Sequence, residues 1–288
     1  MEPIIPQGYL CRHTDTPILV DGKLDEAAWT DAPWTRDFVD IQGDAKLKPR
    51  FRMRVKMLWD DDYLYIAAEL EEPHVWAMLT NHDTVIFQDP DFEVFIDPAG
   101  HTQPYYEFEM NALNSTWDLR LNKPYMDQGQ PDNAWEIPGA KTAIHVNGTL
   151  NNPADTDQDW TVEIAFPWKV FAEHARHAGR PTEGEQWRIN FSRVEWQITT
   201  NGGVYQKVPS TPEDNWVWSP TGVVDMHRPE MWGLLQFTSR PADENISIAA
   251  IPGKPCWPGI GARNRRNGLS IITPRKQDVA AKLGAPQP

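Results

Sequence analysis

Residues 51–59, "FRMRVKMLW", alternate strictly between apolar and basic side chains. An α-helix would spread both kinds of side chain around its surface, whereas a β-strand sends alternate residues to opposite faces. The segment therefore predicts a strand with one face in a core and the other face in water.

Short segments of this kind recur along most of the chain. "DDD" at 60–62 predicts a turn and "YLYIAAEL" at 63–70 a returning strand, so 51–70 predicts a hairpin. Further strands are predicted at 91–97, 105–113, 115–121, 141–148, 159–166, 187–196 and 232–237. Helical spacing is confined to 24–29 and 168–176. The pattern predicts an all-β fold, a single antiparallel β-sandwich with a few short helices.

The chain shows neither an internal repeat nor a low-complexity linker, which favours one domain over several. We expect that domain to cover residues 14–238. Residues 1–13 are expected to form an N-terminal arm. Residues 239–288 are rich in proline and glycine and carry several basic side chains, so they are expected to form a C-terminal tail outside the domain.

Charge and hydropathy exclude some classes of partner. The chain carries 41 acidic and 27 basic residues, a formal net charge of −14, which is unfavourable for binding a nucleic-acid backbone. No apolar run approaches the length that spans a bilayer, so we expect no membrane insertion. The N-terminus lacks the basic start and apolar core of a signal peptide.

Cys11 and Cys256 could form one disulfide or remain two free thiols.

Acidic residues on neighbouring strands are the first candidates for chemistry. Glu93, Glu107 and Glu109 belong to two predicted strands that follow each other in the sequence, so they could meet on one face of a sheet. Two carboxylates across a cleft can hydrolyse a glycoside. The alternative is that they are solvated residues on the polar face of a strand.

Tryptophan is over-represented, with 14 residues against 10 Phe and 7 Tyr. Three of these tryptophans lie in residues 215–233, "NWVWSPTGVVDMHRPEMWG", where prolines and glycines predict a loop. Large apolar rings on a loop can form one wall of a ligand site, and Trp216 and Trp218 are the candidates. The alternative is that they pack in the core, as buried tryptophans commonly do.

Seven segments together resemble a known family, and they occur in the expected order over residues 14–238. They are "DGKLDEAAW" (21–29), "VKMLWDDDYLYIAAEL" (55–70), "DFEVFIDP" (91–98), "YYEFEMNA" (105–112), "WTVEIAFPW" (160–168), "RINFSRVEW" (188–196) and "WVWSP…HRPEMWG" (216–233). The chain resembles the family 9 carbohydrate-binding modules and their DOMON-like relatives, in particular free-standing bacterial proteins of this kind. The resemblance implies a DOMON-type β-sandwich with a sugar site at one end.

In that family two aromatic rings clamp a terminal sugar, and polar residues on the strands bind its hydroxyl groups. Phe87 matches the first clamp ring, whereas Met226 stands where the second clamp has tryptophan. Glu93 and Asn111 match polar sugar-contacting positions, whereas Glu109 stands where the family has a basic residue. The carbohydrate-site residues expected here are Phe87, Glu93, Glu109, Asn111, Trp216, Trp218, Met226 and His227.

The resemblance implies non-catalytic binding of a plant or algal polysaccharide or oligosaccharide, in support of polysaccharide degradation. Because such polymers lie outside the cell, it also implies a periplasmic or extracellular location. One alternative is a glycoside-acting enzyme that uses the strand carboxylates. Another is a haem-binding DOMON-like domain, which Met226 next to His227 suggests.

No organic cofactor is expected. Members of the family can hold structural calcium, and two turns rich in aspartate could offer oxygen ligands for such an ion. The weak candidates are Asp60, Asp62, Asp89 and Asp91. Their alternative role is that of solvated carboxylates in turns.

Overall fold

The computed structural model describes residues 4–43 and 45–240, which form almost entirely strands and turns. The strands are β1 (Gly8–His13), β2 (Val39–Asp40), β3 (Met53–Trp59), β4 (Tyr63–Glu71), β5 (Asp91–Asp97), β6 (Tyr105–Asn111), β7 (Thr116–Leu121), β8 (Pro131–Asp132), β9 (Lys141–Asn147), β10 (Asp159–Pro167), β11 (Gln186–Glu195), β12 (Ile198–Asn201), β13 (Val204–Lys207), β14 (Asp214–Val217) and β15 (Gly233–Thr238). The helix α1 spans Ala27–Asp31, and 3₁₀ turns span Ile86–Gln88, Tyr125–Asp127, Trp168–Phe171 and Pro229–Met231. Within these ranges no helix is long and apolar enough to cross a membrane.

One continuous sheet builds the domain, in the order β8-β7-β6-β5-β11-β15-β1-β3-β4-β10-β9. Strand β14 pairs with β11 and with β2, and β12 and β13 form a separate hairpin. The sheet curls on itself, so apolar side chains from β3, β4 and β10 meet those from β5, β6 and β11 in the main core. The predicted all-β sandwich is confirmed, with both of its layers supplied by one sheet.

The alternating segment that predicts a strand is β3, and it pairs with β4 in an antiparallel hairpin. Its odd-numbered side chains from 53 to 59 are almost completely buried in the main core. On the other face, Arg54 lies opposite Glu69 and its Nε donates a hydrogen bond to Glu69 Oε1 at 3.1 Å. Only this part of the face stays in contact with water, because Lys56 and Leu58 further along are buried against the helix that carries Trp29.

The N-terminal segment differs from the expected arm, because residues 8–13 form β1 in the middle of the sheet. Strand β1 runs parallel to both β15 and β3. Only Tyr9 and Cys11 of this strand are buried, which is too short an alternation to reveal a strand in the sequence. At the other end the last described strand, β15, ends at Thr238. Residues 241–288, and with them Cys256, lie outside the described residues, so the tail and the disulfide stay predictions.

Glu163 in β10 fixes the position of the segment 21–29. Its Oε2 accepts the backbone N–H groups of Asp21 (2.9 Å) and Gly22 (2.8 Å), and its Oε1 accepts the indole N–H of Trp29 at 2.8 Å. Gly22 has φ +89°, and a Cβ there would lie 2.3 Å from the Ile144 carbonyl carbon. Only glycine therefore fits this turn. Burial raises the pKa of Glu163 to about 7.

Candidate functional site

Strands β5 and β6 carry acidic side chains on the face that points away from the main core. Alternate residues of these strands enter the main core, and the residues between them lie on the opposite face. The strand register places Glu93 opposite Glu109 and Phe95 opposite Glu107. We call the surface formed by Asp91, Glu93, Glu107 and Glu109 the acidic face. All four carboxylates are buried.

Aromatic and apolar residues from several loops cover the acidic face and form a second buried cluster. Trp232 lies with its ring centroid 5.0 Å from that of Tyr105 and 5.5 Å from that of Phe95. The cluster includes Phe87, Phe95, Tyr105, Trp117, Trp196, Met226 and Trp232. The face thus combines oxygen atoms that accept hydrogen bonds with apolar rings. A sugar ring has hydroxyl groups that donate hydrogen bonds and an apolar face of C–H groups, so the two surfaces are complementary.

Glu109 holds the turn that carries Phe87. Its Oε2 accepts the backbone N–H of Phe87 at 3.0 Å, and the Phe87 carbonyl accepts the indole N–H of Trp196 at 3.1 Å. The Phe87 side chain is buried in the second cluster. The structure therefore brings Phe87, Glu93 and Glu109 together, as the sequence predicts, and gives Glu109 a role in positioning the turn.

His227 joins the 215–233 loop to the acidic face. Its Nδ1 lies 2.9 Å from the Tyr105 hydroxyl, and its Nε2 lies 3.9 Å from Glu107 Oε2. The ring of Tyr125 stands edge-on to the imidazole with centroids 4.4 Å apart. These partners place the imidazole in a hydrogen-bonded position beside Glu107. Haem binding by this residue stays a prediction. Met226 is buried in the same cluster.

The two tyrosines beside His227 are neutral phenols. Burial and then the charge of Glu107 raise the pKa of Tyr105 well above its usual value. Burial, followed by the charges of Glu107 and Glu109, also raises the pKa of Tyr125. A neutral phenol can both donate and accept a hydrogen bond, so both hydroxyls are suited to a polar ligand.

Asn111 lies on this side of the sheet, but its amide binds the protein itself. Its Nδ2 donates to the Leu79 carbonyl (2.8 Å) and to Asp89 Oδ2 (3.0 Å). Its Oδ1 accepts the backbone N–H groups of Leu113 (3.0 Å) and Ser115 (3.1 Å). These four bonds use the capacity of a primary amide. The structure thus gives Asn111 the task of fixing the surrounding loops, where the resemblance implies a sugar contact.

Trp216 and Trp218 lie on the opposite side of the sheet from Phe87. Both side chains belong to the main core and are 3% exposed, whereas Val217 between them belongs to the cluster over the acidic face. The ring centroid of Trp218 is 5.9 Å from that of Phe191. The expected wall of tryptophans is therefore corrected, because residues two apart in a strand share one face and here it is the core face. The 215–233 loop reaches the acidic face through Met226 and His227.

Trp218 instead borders a groove with a volume of about 780 Å³ on another side of the domain. Several basic side chains line this groove, namely Arg36, Lys46, Lys48, Arg50 and Arg52. The Arg50 guanidinium lies 5.6 Å from the ring centroid of Trp216. Asp37, Asp40 and Glu71 also line the groove, so it is a concave surface of mixed charge that is separate from the acidic face.

Sequence reasoning missed several residues around the acidic face. The alternation that places Glu107 and Glu109 on one face of β6 also places Tyr105 there, so the sequence could have identified this residue. Lys207 had no such signal, since it comes from the β12–β13 hairpin. Its Nζ lies 3.6 Å from the Trp196 ring centroid. Burial lowers the pKa of Lys207 to about 8, and the charge of Asp89 opposes that shift.

Asp60 and Asp89, two of the four aspartates considered for calcium, hold turns in the structure, whereas Asp91 lies in β5 and its Oδ1 accepts the backbone N–H of Val194 at 2.9 Å. Asp60 Oδ1 accepts the backbone N–H groups of Asp62 (2.8 Å) and Tyr63 (2.7 Å). Asp89 Oδ2 accepts the backbone N–H of Met78 at 2.7 Å and that of the following residue. Calcium binding by these four residues stays a prediction.

Three groups in the described residues place carboxylate or imidazole atoms within 4.8 Å of one another, which is close enough to share a cation. One belongs to the acidic face and a second surrounds Glu163. The third lies near the edge of the sheet. In full the groups are Asp91–Glu93–Glu109, Asp21–Glu26–Glu163 and His82–Asp83–Asp118.

Comparison with curated proteins identifies relatives of part of the chain. The endo-1,4-beta-xylanase A of Thermotoga maritima is 29% identical over 157 residues. The match covers 54% of this chain but 12% of the xylanase, so the chain corresponds to a small part of that enzyme.

Solved structures show the same fold. A family 9 carbohydrate-binding module of Caldicellulosiruptor kristjanssonii in complex with cellotriose has a TM-score of 0.52 and 13% identity, covering 85% of this chain and 100% of the module. A family 9 module from the same organism in complex with glucose has a TM-score of 0.52 and 14% identity, covering 83% and 100%.

A family model described as "Carbohydrate family 9 binding domain-like" matches residues 20–216, more than half of the chain. The matched range includes six of the seven segments in full and all four carboxylates of the acidic face. This chain therefore belongs to the carbohydrate family 9 binding domain-like family and is a carbohydrate-binding protein.

Proposed function

We propose that the acidic face binds an oligosaccharide derived from a plant or algal polysaccharide, and that cello-oligosaccharides are its ligands. The observation that carries this proposal is the meeting of Glu93, Glu107 and Glu109 on one sheet face beside Phe87 and Tyr105. The solved family 9 modules in complex with cellotriose and glucose support the choice of sugar.

The chemistry of this face complements that of a sugar. Ionised carboxylates only accept hydrogen bonds, and sugar hydroxyls donate them. Burying about 100 Å² of apolar sugar surface against rings contributes roughly 2–3 kcal/mol, and each net hydrogen bond adds about 1 kcal/mol. After the costs of association, the binding free energy is about −4 to −8 kcal/mol, in the millimolar to micromolar range.

We propose a non-catalytic role, in which the chain keeps polysaccharide close to enzymes that degrade it. The support is that the curated relative is a xylanase and that the matched region is a small part of it. A region of this kind serves the larger enzyme by raising the local concentration of substrate.

Calorimetric titration of the full chain with cellotriose tests the proposed site. Glu93→Gln and Glu107→Gln keep the side-chain shape but remove a charged acceptor, which costs about 1.5–3 kcal/mol per bond, or roughly 10- to 150-fold in Kd. Glu185→Gln is the matched control, because Glu185 is also buried but bonds the indole N–H of Trp187 away from this face. We expect the control to bind within about twofold of the wild type. Equal affinity in all variants would contradict the site.

The glycoside-acting alternative uses the same carboxylates and makes a different prediction. A binding protein leaves cellotriose intact during long incubation, whereas a hydrolase produces shorter sugars. Chromatography of the incubated sugar separates the two. Shorter sugars that form with the wild type and fail to form with Glu93→Gln or Glu107→Gln would establish the enzyme instead.

We propose that the protein acts in the periplasm or outside the cell, where such polysaccharide is found. The pair Cys11 and Cys256 supports this location, because it permits one disulfide. Cys11 is buried, so thiols must be titrated in the unfolded, unreduced protein. A disulfide would leave no reactive thiol, whereas two reactive thiols would remove this support.

A further inference from the structure

A buried arginine joins the ends of two strands that come from different parts of the chain. Arg193 lies in β11, Glu195 is the last residue of that strand, and Glu72 follows directly after β4. The Arg193 side chain is fully buried, and the side chains of Glu72 and Glu195 are 5% and 2% exposed. We call these three residues the Arg193 triad. None of them belongs to the acidic face.

The guanidinium of Arg193 binds both carboxyl groups through one nitrogen. Its Nη2 lies 2.6 Å from Glu72 Oε2 and 2.6 Å from Glu195 Oε2. Its Nε also donates to Glu195 Oε2 at 3.1 Å, and its Nη1 donates to the Glu71 carbonyl at 2.8 Å. The two carboxyl groups are also close enough to form a hydrogen bond with each other. Such a bond requires a proton on one of them, because an ionised carboxylate only accepts hydrogen bonds.

The charges of the triad do not balance if both carboxyl groups are ionised. One guanidinium then faces two carboxylates, which leaves one negative charge in excess. Within residues 4–43 and 45–240, no other cationic side chain forms an ion pair with Glu72 or Glu195. A buried charge without a counter-ion is strongly unfavourable, and the group commonly takes up a proton instead. One proton on the pair makes the triad neutral.

The groups packed around the triad do not supply the missing positive charge. Those that are charged or titratable are Arg50, Glu71, His74, Asp157, Tyr205 and Asp214. Arg50 is the permanent cation of this set, and it is paired with Asp214 at 3.1 Å. The ring of His74 faces Tyr205, with 3.1 Å between Nδ1 and the hydroxyl oxygen. The excess negative charge therefore stays with the triad.

We propose that Glu72 and Glu195 share one proton beside Arg193, and that this proton makes the contact between the end of β4 and the end of β11 sensitive to pH. Without the proton, two buried carboxylates repel each other across one guanidinium. Glu72 begins the segment that leads to the Phe87 turn, and Glu195 precedes Trp196, whose indole N–H binds the Phe87 carbonyl. The triad therefore joins the two segments that hold Phe87.

Burial sets the direction of the pH dependence. Burial, followed by the charge of Glu195, raises the pKa of Glu72 above its ordinary value of 4.5, whereas Arg193 opposes this shift. The folded state therefore binds the proton more tightly than the unfolded state does. The stability that the proton contributes is complete below pH 4.5 and is lost as the pH rises through the raised pKa.

Two ionised carboxylates are the competing explanation of the same distances. Nη2 of Arg193 carries two hydrogens, and each carboxylate could accept one of them. In that case neither Glu72 nor Glu195 binds a proton at neutral pH in the folded state. The experiments must therefore detect the pH dependence and the proton separately.

Urea denaturation of the full chain between pH 5 and pH 8 is the first test. In Glu72→Gln and in Glu195→Gln, one carboxylate remains for one guanidinium, so neither variant keeps the titration. Relative to each variant, we expect the unfolding constant of the wild type to rise at least about tenfold over this range, since one proton allows at most about tenfold per pH unit.

The control for this test is Glu69→Gln, because Glu69 is paired with two arginines on the open face of the hairpin. We expect the control to follow the wild type. Other titrating groups are shared by all four proteins and cancel in the comparison. A wild type whose unfolding constant stays parallel to those of Glu72→Gln and Glu195→Gln would overturn the proposal.

Carbon NMR of the glutamate side-chain carboxyl groups is the second test, and it needs no substitution. We expect the carboxyl carbons of Glu72 and Glu195 in the wild type at pH 7 to have shifts that together correspond to one bound proton. Both carbons at the shift of an ionised carboxylate would overturn the proposal in favour of the doubly ionised pair.

Discussion

Trp218 shows how one side chain can be essential to the fold without facing the ligand. Its backbone N–H donates to the Phe191 carbonyl at 3.2 Å, and its ring lies directly over Gly233. A Cβ on Gly233 would be 2.3 Å from the six-membered ring of Trp218, so glycine is required at that position. Trp218 is 3% exposed and contributes only a small part of its surface to the groove that it borders, so its ring is mainly a core contact.

We expect Trp218→Ala to destabilise the protein by about 3–5 kcal/mol, as for other large-to-small changes in a core. Trp160→Ala, in the same core, should cost a similar amount and serves as the reference. Urea denaturation measures both. The folded fraction of Trp218→Ala should bind cellotriose within about twofold of the wild type. Weaker sugar binding with unchanged stability would instead support the stacking role that the sequence suggests.

Single residues could be assigned to a face from the sequence only where the alternation was long. In β6 the odd-numbered Glu107 and Glu109 lie on one face and the even-numbered core residues lie on the other. The alternation in the sequence predicts this division, and the structure has it. Parity also puts Trp216 and Trp218 on one common face. Which face that is depends on the pairing of β14 with β11, a contact that the sequence does not reveal.

Among the structural elements, β10 fixes the N-terminal part of the domain through Glu163. This one carboxylate bonds the turn at Asp21 and Gly22 and the indole of Trp29 in α1. Such a short helix is not stable alone, so its position depends on this anchor and on the burial of Trp29.

The raised pKa of Glu163 predicts a pH dependence of stability. Burial raises its pKa in the folded protein to about 7, above the ordinary value of 4.5. The folded state therefore holds the proton more tightly. The stability that this proton contributes is complete below pH 4.5 and is lost as the pH rises through 7.

We expect the wild type to lose up to about 3 kcal/mol relative to Glu163→Gln between pH 4.5 and pH 8, because the amide does not titrate. Urea denaturation of both proteins across this range gives the difference in the free energy of unfolding. Two curves that stay parallel would show that Glu163 titrates normally in the folded protein.

The elements that the sequence predicts are those with local partners. Strands β3 and β4 follow each other, as do β5 and β6, and each pair shows clear alternation. Strand β1 was missed because it is short and pairs in parallel with β15, more than 200 residues later in the chain. Pairing over such a distance leaves no local pattern to read.

At the scale of the whole molecule, the domain offers two candidate surfaces for a ligand, the buried acidic face and the groove of mixed charge beside Trp218. The acidic face lies under Phe87, His227 and Trp232, whereas the groove beside Trp218 is lined by side chains of both charges. Family membership establishes carbohydrate binding but does not choose between these surfaces. The choice of the acidic face depends on Glu93, Glu107 and their aromatic neighbours.

A crystal structure of the full chain in complex with cellotriose tests this choice most directly. The account predicts that sugar hydroxyls lie within hydrogen-bonding distance of Glu93 or Glu107, with a sugar ring against the aromatic residues that cover the acidic face. Cellotriose bound in the groove beside Trp218 and Arg50, with the acidic face unchanged, would contradict it.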